Sequence, residues 1–388
     1  MGVSIVGWAH APFGKFDALD IEALIAGVAR DAIAHAGIDS KDVDGTWLGT
    51  LNGGFVPEIF TSSLALQADD GLRWKPAVRL ENACASGSAA IYGAINAIEA
   101  GDAKIALVVG AEKMSSVSGQ EATRILGNCS YVKEESSIAG GFAGVFGQVA
   151  QAYFDRHGNQ SEALARIAAK NHMNGTKNPW AHMRKELSFD FCNTVSDKNP
   201  LIAGPLRKTD CSLVSDGAAA LILADDSIAD TMIRAVGFRA RAQVNDYLPM
   251  SRRDPLLFEG PRRAWKMALE RAGAMVDDLS FAEVHDCFTI AELLAYEAMG
   301  IADLGHGARA IEEGIVYKDG RLPVNVSGGL KAKGHPIGAT GVSMHVLSAM
   351  QLCGDAGEMQ LDRPQLAGVF NMGGSAVASY VSILERRK

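Results

Sequence analysis

The chain has 388 residues, of which 48% are hydrophobic and 42 are glycine, and its formal net charge at pH 7 is −8. This length predicts two or more domains, and the composition is typical of a globular α/β protein with many tight turns rather than a disordered chain. The acidic balance excludes a general affinity for nucleic acid, so a ligand that carries phosphates would need a local basic patch.

Residues 1–14 predict a short strand and a turn, and they lack the charged leader and apolar run of a signal peptide. No stretch reaches ~18 uninterrupted apolar residues, which argues against a membrane span. The six cysteines are scattered without a Cys-x-x-Cys pair, which predicts free thiols rather than a zinc site or a disulfide framework. We therefore expect a cytoplasmic protein without a bound metal.

The first half predicts an amphipathic helix at residues 21–36, which ends at a glycine as helices commonly do, and a strand at residues 45–50. A tight turn at residues 82–87 then leads into a helix at 88–100 and a buried strand at 104–109. Cys84 lies on this turn, where a helix N-terminus favours a thiolate and small neighbours admit a substrate carbonyl. Cys84 is a candidate nucleophile, although a buried structural cysteine explains the turn equally well.

Residues 115–204 interrupt the first half, because an apolar strand at residues 218–223 is still needed to close its sheet. The segment contains four closely spaced glycines at 140–147, a predicted helix at 161–171 and a polar stretch around Trp180. We interpret it as an inserted lid or loop domain. Its glycines match no phosphate-binding pattern and are expected to serve close helix packing.

The second half repeats the order of the first. In both halves an alanine, three intervening residues and Ala-Gly are followed by four further residues and an aspartate, so that Gly37 corresponds to Gly273. Further elements predicted here are a helix at 262–272, strands at 281–284, 324–326 and 366–370, and a helix at 342–352. Two similar α/β halves, at residues 1–230 and 231–388, each with a sheet buried between helices, are the simplest architecture.

Three further turns of the second half carry possible chemistry. His285 and Cys287 follow one predicted strand, His335 lies in a turn rich in glycine and proline before a helix, and Gly373 follows another strand. Each has an ordinary structural explanation when considered alone. Together with Cys84 they supply a nucleophile, two imidazoles, a second thiol and a backbone N–H for an oxyanion, which is a set suited to acyl transfer.

Four motifs in consistent order resemble those of the thiolase superfamily and, within it, of the sterol-carrier-protein-2-type thiolases. They are Asn-Ala-Cys-Ala-Ser-Gly at 82–87, Ser-Asp-Gly-Ala-Ala-Ala at 215–220, His-Asp-Cys-Phe at 285–288 and Gly-His-Pro-Ile-Gly-Ala-Thr-Gly at 334–341. The resemblance covers essentially the whole chain. It implies a five-layered αβαβα fold with two pseudo-repeated halves and an inserted loop domain, a homodimer or dimer of dimers, and coenzyme A thioesters as substrates without a separate cofactor.

Two residues depart from the pattern of ordinary thiolases. Asn371 occupies the position where they carry a second reactive cysteine in a Cys-x-Gly motif, and His285 stands where they carry asparagine. In the sterol-carrier-type branch, the cysteine of His-Asp-Cys-Phe is similar in role, so Cys287 is the replacement candidate. The two histidines beside Cys84 also resemble the Cys-His-His set of decarboxylating ketoacyl synthases.

The resemblance implies a mechanism with a role for each site residue. His335 helps to deprotonate Cys84, which becomes acylated, and Cys287 moves the α-proton of the second substrate. His285 and His335 polarise the thioester oxygen of the enolate, while the N–H groups of Cys84 and Gly373 hold the oxyanion at the acylated sulfur.

We therefore predict an acyltransferase of lipid metabolism, an acetyl-CoA C-acyltransferase or thiolase, that makes or cleaves a 3-ketoacyl-CoA. The alternatives are a decarboxylating condensing enzyme and an acyltransferase subunit that works with an OB-fold partner protein. Coenzyme A carries several negative charges, so basic residues must cluster locally. The candidates for these contacts are Arg239, Arg241, Arg184 and Lys185.

Overall fold

The structure is a computed structural model that describes residues 2–388. Its strands are β1 (Val3–His10), β2 (Gly45–Gly49), β3 (Ala77–Leu80), β4 (Ile105–Glu112), β5 (Leu201–Ala203), β6 (Leu206–Arg207), β7 (Gly217–Asp225), β8 (Val236–Asn245), β9 (Phe281–Val284), β10 (Leu366–Gly373) and β11 (Ala378–Arg386). Its α-helices are α1 (Ile21–Ala36), α2 (Ser86–Ala100), α3 (Gly119–Gly127), α4 (Val132–Glu135), α5 (Gly141–His157), α6 (Ser161–Gly175), α7 (Phe189–Asn193), α8 (Asp226–Ala229), α9 (Glu259–Ala272), α10 (Thr289–Met299), α11 (Ala308–Glu312), α12 (Gly329–Lys333) and α13 (Ile337–Cys353).

Nine strands form one continuous sheet in the order β3-β2-β4-β7-β1-β8-β11-β10-β9. The two halves of the chain meet at the antiparallel β1–β8 pair, where Ile5 lies opposite Val236. Outward from this pair, the first half runs β1-β7-β4-β2-β3 and the second runs β8-β11-β10-β9. Both series have two antiparallel pairs followed by parallel pairing. The repeat that the sequence predicts is therefore a repeat of strand topology.

The strand predicted at residues 324–326 is reduced to a single bridge between Val324 and Ala282. Asn325 has a φ of 57°, a left-handed conformation that interrupts a strand. Its side-chain oxygen accepts a hydrogen bond from the N–H of Val284 at 2.8 Å, in place of a backbone ladder. This strand prediction was wrong because an asparagine turn takes over the pairing.

The helices and the two halves of the sheet form five layers. α1 packs on β1, β4 and β7, and α9 packs on β8 and β11. Between the halves lie α2, which contacts β2 and β4, and α13, which contacts β4 and β7 of the first half as well as β10 and β11 of the second. α13 is buried from Ile337 to Leu352, as suits a helix without Asp, Glu, Lys or Arg. The αβαβα arrangement predicted from the sequence is confirmed.

The chain between β4 and β7 extends out of the first half and then returns to its sheet, as expected of an inserted segment. Its elements include α3 to α7 and the β5–β6 hairpin. A buried ion pair at the end of this hairpin joins Arg207 Nε to Asp210 Oδ2 over 2.9 Å. The division of the chain at residue 230 and the bounds of the insert remain predictions. Among residues 2–388, no helix combines the length and the hydropathy that a membrane crossing requires.

α2 and α13 cross at glycines, and this contact positions the site. A Cβ atom on Gly87 would lie 2.7 Å from the carbonyl oxygen of Gly338, and one on Gly341 would lie 2.4 Å from the backbone of α2. Real Cβ atoms do not approach so closely, so side chains are excluded from the crossing. The first turns of the two helices therefore meet, and they bring Cys84 and His335 together.

The crossing predicts opposite effects for two glycine substitutions. Gly341→Ala places a methyl group 2.4 Å from the nitrogen of Ser88 and 2.5 Å from Oδ1 of Asn371, and overpacking of this kind costs about 1–3 kcal/mol. Gly27 of α1 has open space around it, so Gly27→Ala should stabilise by ~0.5–1 kcal/mol because alanine suits a helix interior. Denaturant unfolding measures both, and a Gly341→Ala protein as stable as the wild type would contradict the tight crossing.

Candidate active site

Cys84 lies on a strained turn between β3 and α2. Ala83 immediately before it has a φ of 50°, which is unfavourable for a residue with a side chain. The Ser86 hydroxyl accepts a hydrogen bond from the N–H of Asn82 and donates one to the carbonyl of Ala83, so it closes the turn from both sides. The turn holds the Cys84 side chain, only 4% exposed, at the start of α2.

Two imidazoles converge on the Cys84 sulfur. The sulfur and one ring nitrogen each of His285 and His335 lie within 4.8 Å of one another, and all three side chains are buried. The two rings meet edge to face, with centroids 5.0 Å apart and an interplanar angle of 84°. Neither Nε2 atom has a hydrogen-bond partner among residues 2–388, so both are free to act on the sulfur or on a ligand.

The partners of His335 fix the position of its proton. Its Nδ1 lies 2.6 Å from Oγ1 of Thr340, and the Thr340 hydroxyl donates its own hydrogen to the carbonyl of Pro336 at 3.0 Å. The threonine oxygen can therefore only accept from the ring, and we assign the proton of neutral His335 to Nδ1. Its Nε2 keeps a lone pair, which is the form that a base requires.

Burial dominates the electrostatics of the pair. It raises the pKa of the Cys84 thiol well above its ordinary value. It also lowers the pKa of His335 to about 3, and the nearby Lys333 charge adds to that shift. Both shifts favour a neutral thiol and a neutral imidazole at rest. Burial therefore outweighs the effect of the helix N-terminus, which was expected to favour a thiolate at Cys84.

Cys287 follows β9 and lines the same cavity as Cys84 and His335. Burial raises the pKa of its thiol well above the ordinary value, and the adjacent Asp286 carboxyl raises it further. The Cys287 thiol is therefore protonated at rest and can donate a proton before it can accept one.

Asp286 joins the strand that carries His285 to the segment that carries His335. Its carboxylate accepts hydrogen bonds from the N–H groups of Leu330 at 2.6 Å and Lys331 at 3.2 Å, at the start of α12. α12 leads directly to His335, so these bonds connect the segment that carries His285 to the segment that carries His335. Nothing in the sequence indicates that α12 begins against Asp286, so this role could not be predicted.

Two glycines lie at the end of β10, beside the Cys84 turn. Gly373 is expected from the sequence to supply an oxyanion donor, and the backbone N–H of the next residue, Gly374, acts to lower the pKa of the Cys84 thiol. The chain turns at Gly374, where φ is 62°, whereas a Cβ on Gly373 would lie 2.3 Å from the carbonyl oxygen of Asn82. Gly373 thus permits close packing on the Cys84 turn. Its role as an oxyanion donor stays a prediction, and Gly374 is a second candidate.

The cavity beside Cys84 has a volume of about 180 Å³ and a largely apolar wall. The inserted segment contributes much of that wall. The apolar residues around the cavity are Met114, Leu126, Phe142, Ala143, Ile202, Leu213, Val214, Phe288 and Ile337. The cavity suits an acyl group, because an apolar lining with a few polar groups is typical of small-molecule sites.

The residues predicted to bind coenzyme A do not line this cavity. Arg239 and Arg241 line a separate surface cavity and pair with carboxylates, Arg239 with Glu385 at 3.6 Å and Arg241 with Glu99 at 2.6 Å. Their charges are therefore already compensated.

Arg184 and Lys185, the other two candidates, are exposed and shortly follow His182 along the chain. The His182 ring contacts the hydroxyl of Ser215 at 2.8 Å, next to the cavity residue Val214. The basic pair thus lies in a segment that reaches the neighbourhood of the cavity.

Two family models match the chain: the thiolase N-terminal domain over residues 3–227 and the thiolase C-terminal domain-like family over residues 242–386. The chain belongs to the thiolase family. This thiolase is 33% identical to an acetyl-CoA acetyltransferase of Methanothermobacter thermautotrophicus over 99% of both chains. It is 30% identical to sterol carrier protein 2 of Homo sapiens, over 97% of this chain and 70% of that protein.

Solved structures share its fold. The Ltp2-ChsH2(DUF35) aldolase superposes with a TM-score of 0.83 at 21% identity, over 100% of this chain and 98% of the other. Human mitochondrial 3-ketoacyl-CoA thiolase in complex with CoA superposes with a TM-score of 0.76 at 17% identity, again over 100% and 98%. The predicted family and fold are confirmed, as is a coenzyme A-dependent acyltransferase of the thiolase type. A decarboxylating synthase is not favoured.

Proposed function

We propose that this thiolase cleaves and forms 3-ketoacyl-CoA through an acyl-enzyme on Cys84, with acetyl-CoA as one of its substrates. The observation that carries the proposal is the buried Cys84 sulfur within 4.8 Å of ring nitrogens of His285 and His335. A thiol beside a base with a free lone pair is the arrangement of nucleophilic acyl transfer. Relatives named acetyl-CoA acetyltransferase support acetyl-CoA as the substrate.

Cleavage begins with transfer of the Cys84 proton to Nε2 of His335. The thiolate attacks the keto carbonyl of the 3-ketoacyl-CoA, and the oxyanion is held by the N–H groups of Cys84 and Gly374. The oxyanion collapses, the bond between the α- and β-carbons breaks, and its electron pair forms the enolate of acetyl-CoA. Cys84 is left as an acyl thioester.

Cys287 then gives its proton to the enolate carbon, which releases acetyl-CoA. Incoming coenzyme A returns a proton to the Cys287 thiolate, and its own thiolate attacks the acyl group on Cys84. The departing Cys84 sulfur recovers the proton held by His335. Synthesis follows the same steps in reverse, with Cys287 as the base.

Enolate stabilisation must carry much of the barrier, because the carbon beside a thioester is a very weak acid. General acid–base help is worth only ~10²–10⁴-fold. We assign the enolate oxygen to the Nε2 atom of His285, and to His335 while it holds the Cys84 proton. The raised pKa of the Cys287 thiol supports its use as the acid, since the group is protonated at rest.

The two cysteines are predicted to fail at different steps. Cys84→Ala should show no covalent adduct by intact-protein mass spectrometry after incubation with acetyl-CoA. Cys287→Ser should still acetylate Cys84, because that step needs only His335 and the oxyanion donors. Its exchange of acetyl-CoA α-protons with deuterium should fall by roughly 10²-fold or more, the scale of lost general-base catalysis.

Cys353→Ser is the matched control, since Cys353 ends α13 and lies outside the cavity; it should change neither measurement. An adduct that persists in Cys84→Ala would remove the nucleophile assignment. Fast decarboxylation of malonyl-CoA, indifferent to Cys287 and without proton exchange, would replace the thiolase reaction by that of a decarboxylating synthase.

For the coenzyme A phosphates, we keep Arg184 and Lys185 as the proposed contacts. Both side chains are exposed, and within residues 2–388 neither forms an ion pair of the kind that occupies Arg239 and Arg241. Arg184 only donates to the carbonyl of Thr176 at 3.3 Å, which leaves its remaining N–H groups for an anion.

Charge reversal at the two basic pairs should therefore give different results. Arg184→Glu with Lys185→Glu should raise the KM for acetyl-CoA roughly 10-fold, because each lost exposed charge contact is worth up to about 1 kcal/mol. The kcat should change little, since no reacting atom is touched. Arg239→Glu with Arg241→Glu is the matched control and should leave KM unchanged; the opposite pattern would move the coenzyme A site to the second cavity.

We also propose a homodimer formed through β3. This strand is an edge of the sheet, and Val78 on it is 43% exposed. Ile59, Phe60 and Trp74 are 77%, 72% and 91% exposed. An exposed edge strand with apolar side chains on and around it favours pairing with another chain. A second copy supplies such a strand with the same apolar surface.

Val78→Lys with Trp74→Lys should shift the protein from dimer to monomer in sedimentation velocity, because charges would then face each other across the interface. Ile233, also exposed at 87%, lies after α8 and away from β3, so Ile233→Lys should leave the dimer intact. A wild-type monomer, or a dimer that survives the double substitution, would reject this interface. An OB-fold partner protein, a dimer of dimers and a cytoplasmic location remain predictions.

A further inference from the structure

Asn371 on β10 has no part in the mechanism above, yet its side chain is fully buried between both reacting groups. Its Nδ2 lies 3.1 Å from the carbonyl oxygen of Cys84 and 2.9 Å from Nδ1 of His285. Its Oδ1 accepts a hydrogen bond from the hydroxyl of Ser88 at 2.8 Å. Every polar atom of the amide is therefore paired.

These contacts determine which way the amide points. The carbonyl oxygen of Cys84 can only accept a hydrogen bond, so the amide group that faces it must be the NH₂. The same NH₂ faces Nδ1 of His285, which must then accept the second hydrogen. A ring nitrogen that accepts carries no proton, so the proton of neutral His285 lies on Nε2.

We infer that Asn371 is the positioning residue that fixes the proton of His285 on Nε2. His285 then presents an N–H towards the substrate oxygen, while His335, held in the opposite tautomer by Thr340, presents a lone pair towards the Cys84 proton. One ring donates a hydrogen bond and the other accepts one because their partners differ; the two rings themselves are chemically identical. This inference rests on the proposed function only for the use made of the two nitrogens.

The tautomer matters because the ring is neutral. Burial lowers the pKa of His285 well below its ordinary value, and the His335 ring and the Lys333 ammonium oppose its protonation further. An imidazolium would carry hydrogens on both nitrogens, and its partner on Nδ1 would then decide nothing. In a neutral ring, the group that faces Nδ1 decides whether Nε2 donates or accepts.

The same bond argues against a metal on Cys84, His285 and His335, although these three side chains are close enough to be ligands. A histidine that binds a metal through one ring nitrogen normally donates the hydrogen of the other to an oxygen. Asn371 instead donates a hydrogen bond to Nδ1 of His285. The ring proton therefore lies on Nε2, which then has no free lone pair for a metal.

Asn371→Asp tests the inference, because a carboxylate accepts from Nδ1 and draws the proton away from Nε2. At neutral pH the kcat should fall by about 10²–10³-fold, the usual loss on removal of one oxyanion donor, with KM little changed. The carboxylate also raises the pKa of His285, and below that pKa Nε2 regains its hydrogen. The activity of the variant relative to wild type should therefore recover as pH falls.

Nitrogen-15 spectra of histidine-labelled protein without substrate read the tautomer directly. Wild-type His285 should be protonated on Nε2, and the Asn371→Asp protein on Nδ1. Asn371→Leu, similar in size, removes the donor without adding an acceptor, so it should populate both tautomers and lose less activity, with no recovery in acid. Asn96→Asp, an exposed site on α2, is the matched control and should change neither spectrum nor rate.

A wild-type His285 protonated on Nδ1 would overturn the inference, as would an Asn371→Asp protein that keeps the Nε2 proton or loses activity equally at every pH. If Asn371→Asp does not fold, the Asn371→Leu spectra decide: a single Nε2 tautomer there would show that Asn371 is not what fixes it. Absence of the Cys84 adduct with the tautomers as assigned would reject the proposed function and leave the role of Asn371 in place.

Discussion

The close contact between α2 and α13 is the constraint on which the site depends. Gly87, Gly338 and Gly341 let two helix backbones touch where any side chain would hold them apart. Because Cys84 and His335 precede the first turns of these helices, the proposed nucleophile and its proposed base are brought together by backbone packing between the two halves of the chain. Loops do not have to reach across the molecule, so the geometry is held by close packing in the core.

This placement also makes the site dry, which sets its chemistry. Burial keeps the Cys84 thiol and the His335 ring neutral, and a neutral pair in a low dielectric must react by proton transfer rather than as a preformed ion pair. Each polar group buried in the same interior therefore needs its own hydrogen-bond partner. Glu112 illustrates this requirement, since its carboxyl accepts from Thr50, from the backbone of residues 51 and 52 and from the N–H of Gly338 at the crossing.

Local patterns in the sequence predict the elements well, and contacts between distant residues account for what they miss. The bounds of α1 and β9 are as predicted, because hydrophobic period and a glycine cap are local signals. The link between His335 and Thr340 is also local, since both belong to the start of α13. In contrast, the turn at Asn325 depends on Val284, and the proposed oxyanion donor at Gly374 depends on how the end of β10 meets the Cys84 turn. The hydrophobic pattern within a single segment gives no information about such contacts.

The two departures from ordinary thiolases are in direct contact in the structure. The sequence shows a histidine at 285 in place of asparagine and, separately, Asn371 in place of the second cysteine. In the folded chain these residues are 2.9 Å apart, and the amide supplies the hydrogen that Nδ1 of His285 needs. A cysteine at 371 would be a weak donor there, so a histidine donor at 285 calls for an amide beside it. The acid–base thiol must then come from elsewhere, and Cys287, two residues from His285, lines the same cavity. The proposed roles of the three positions therefore depend on one another.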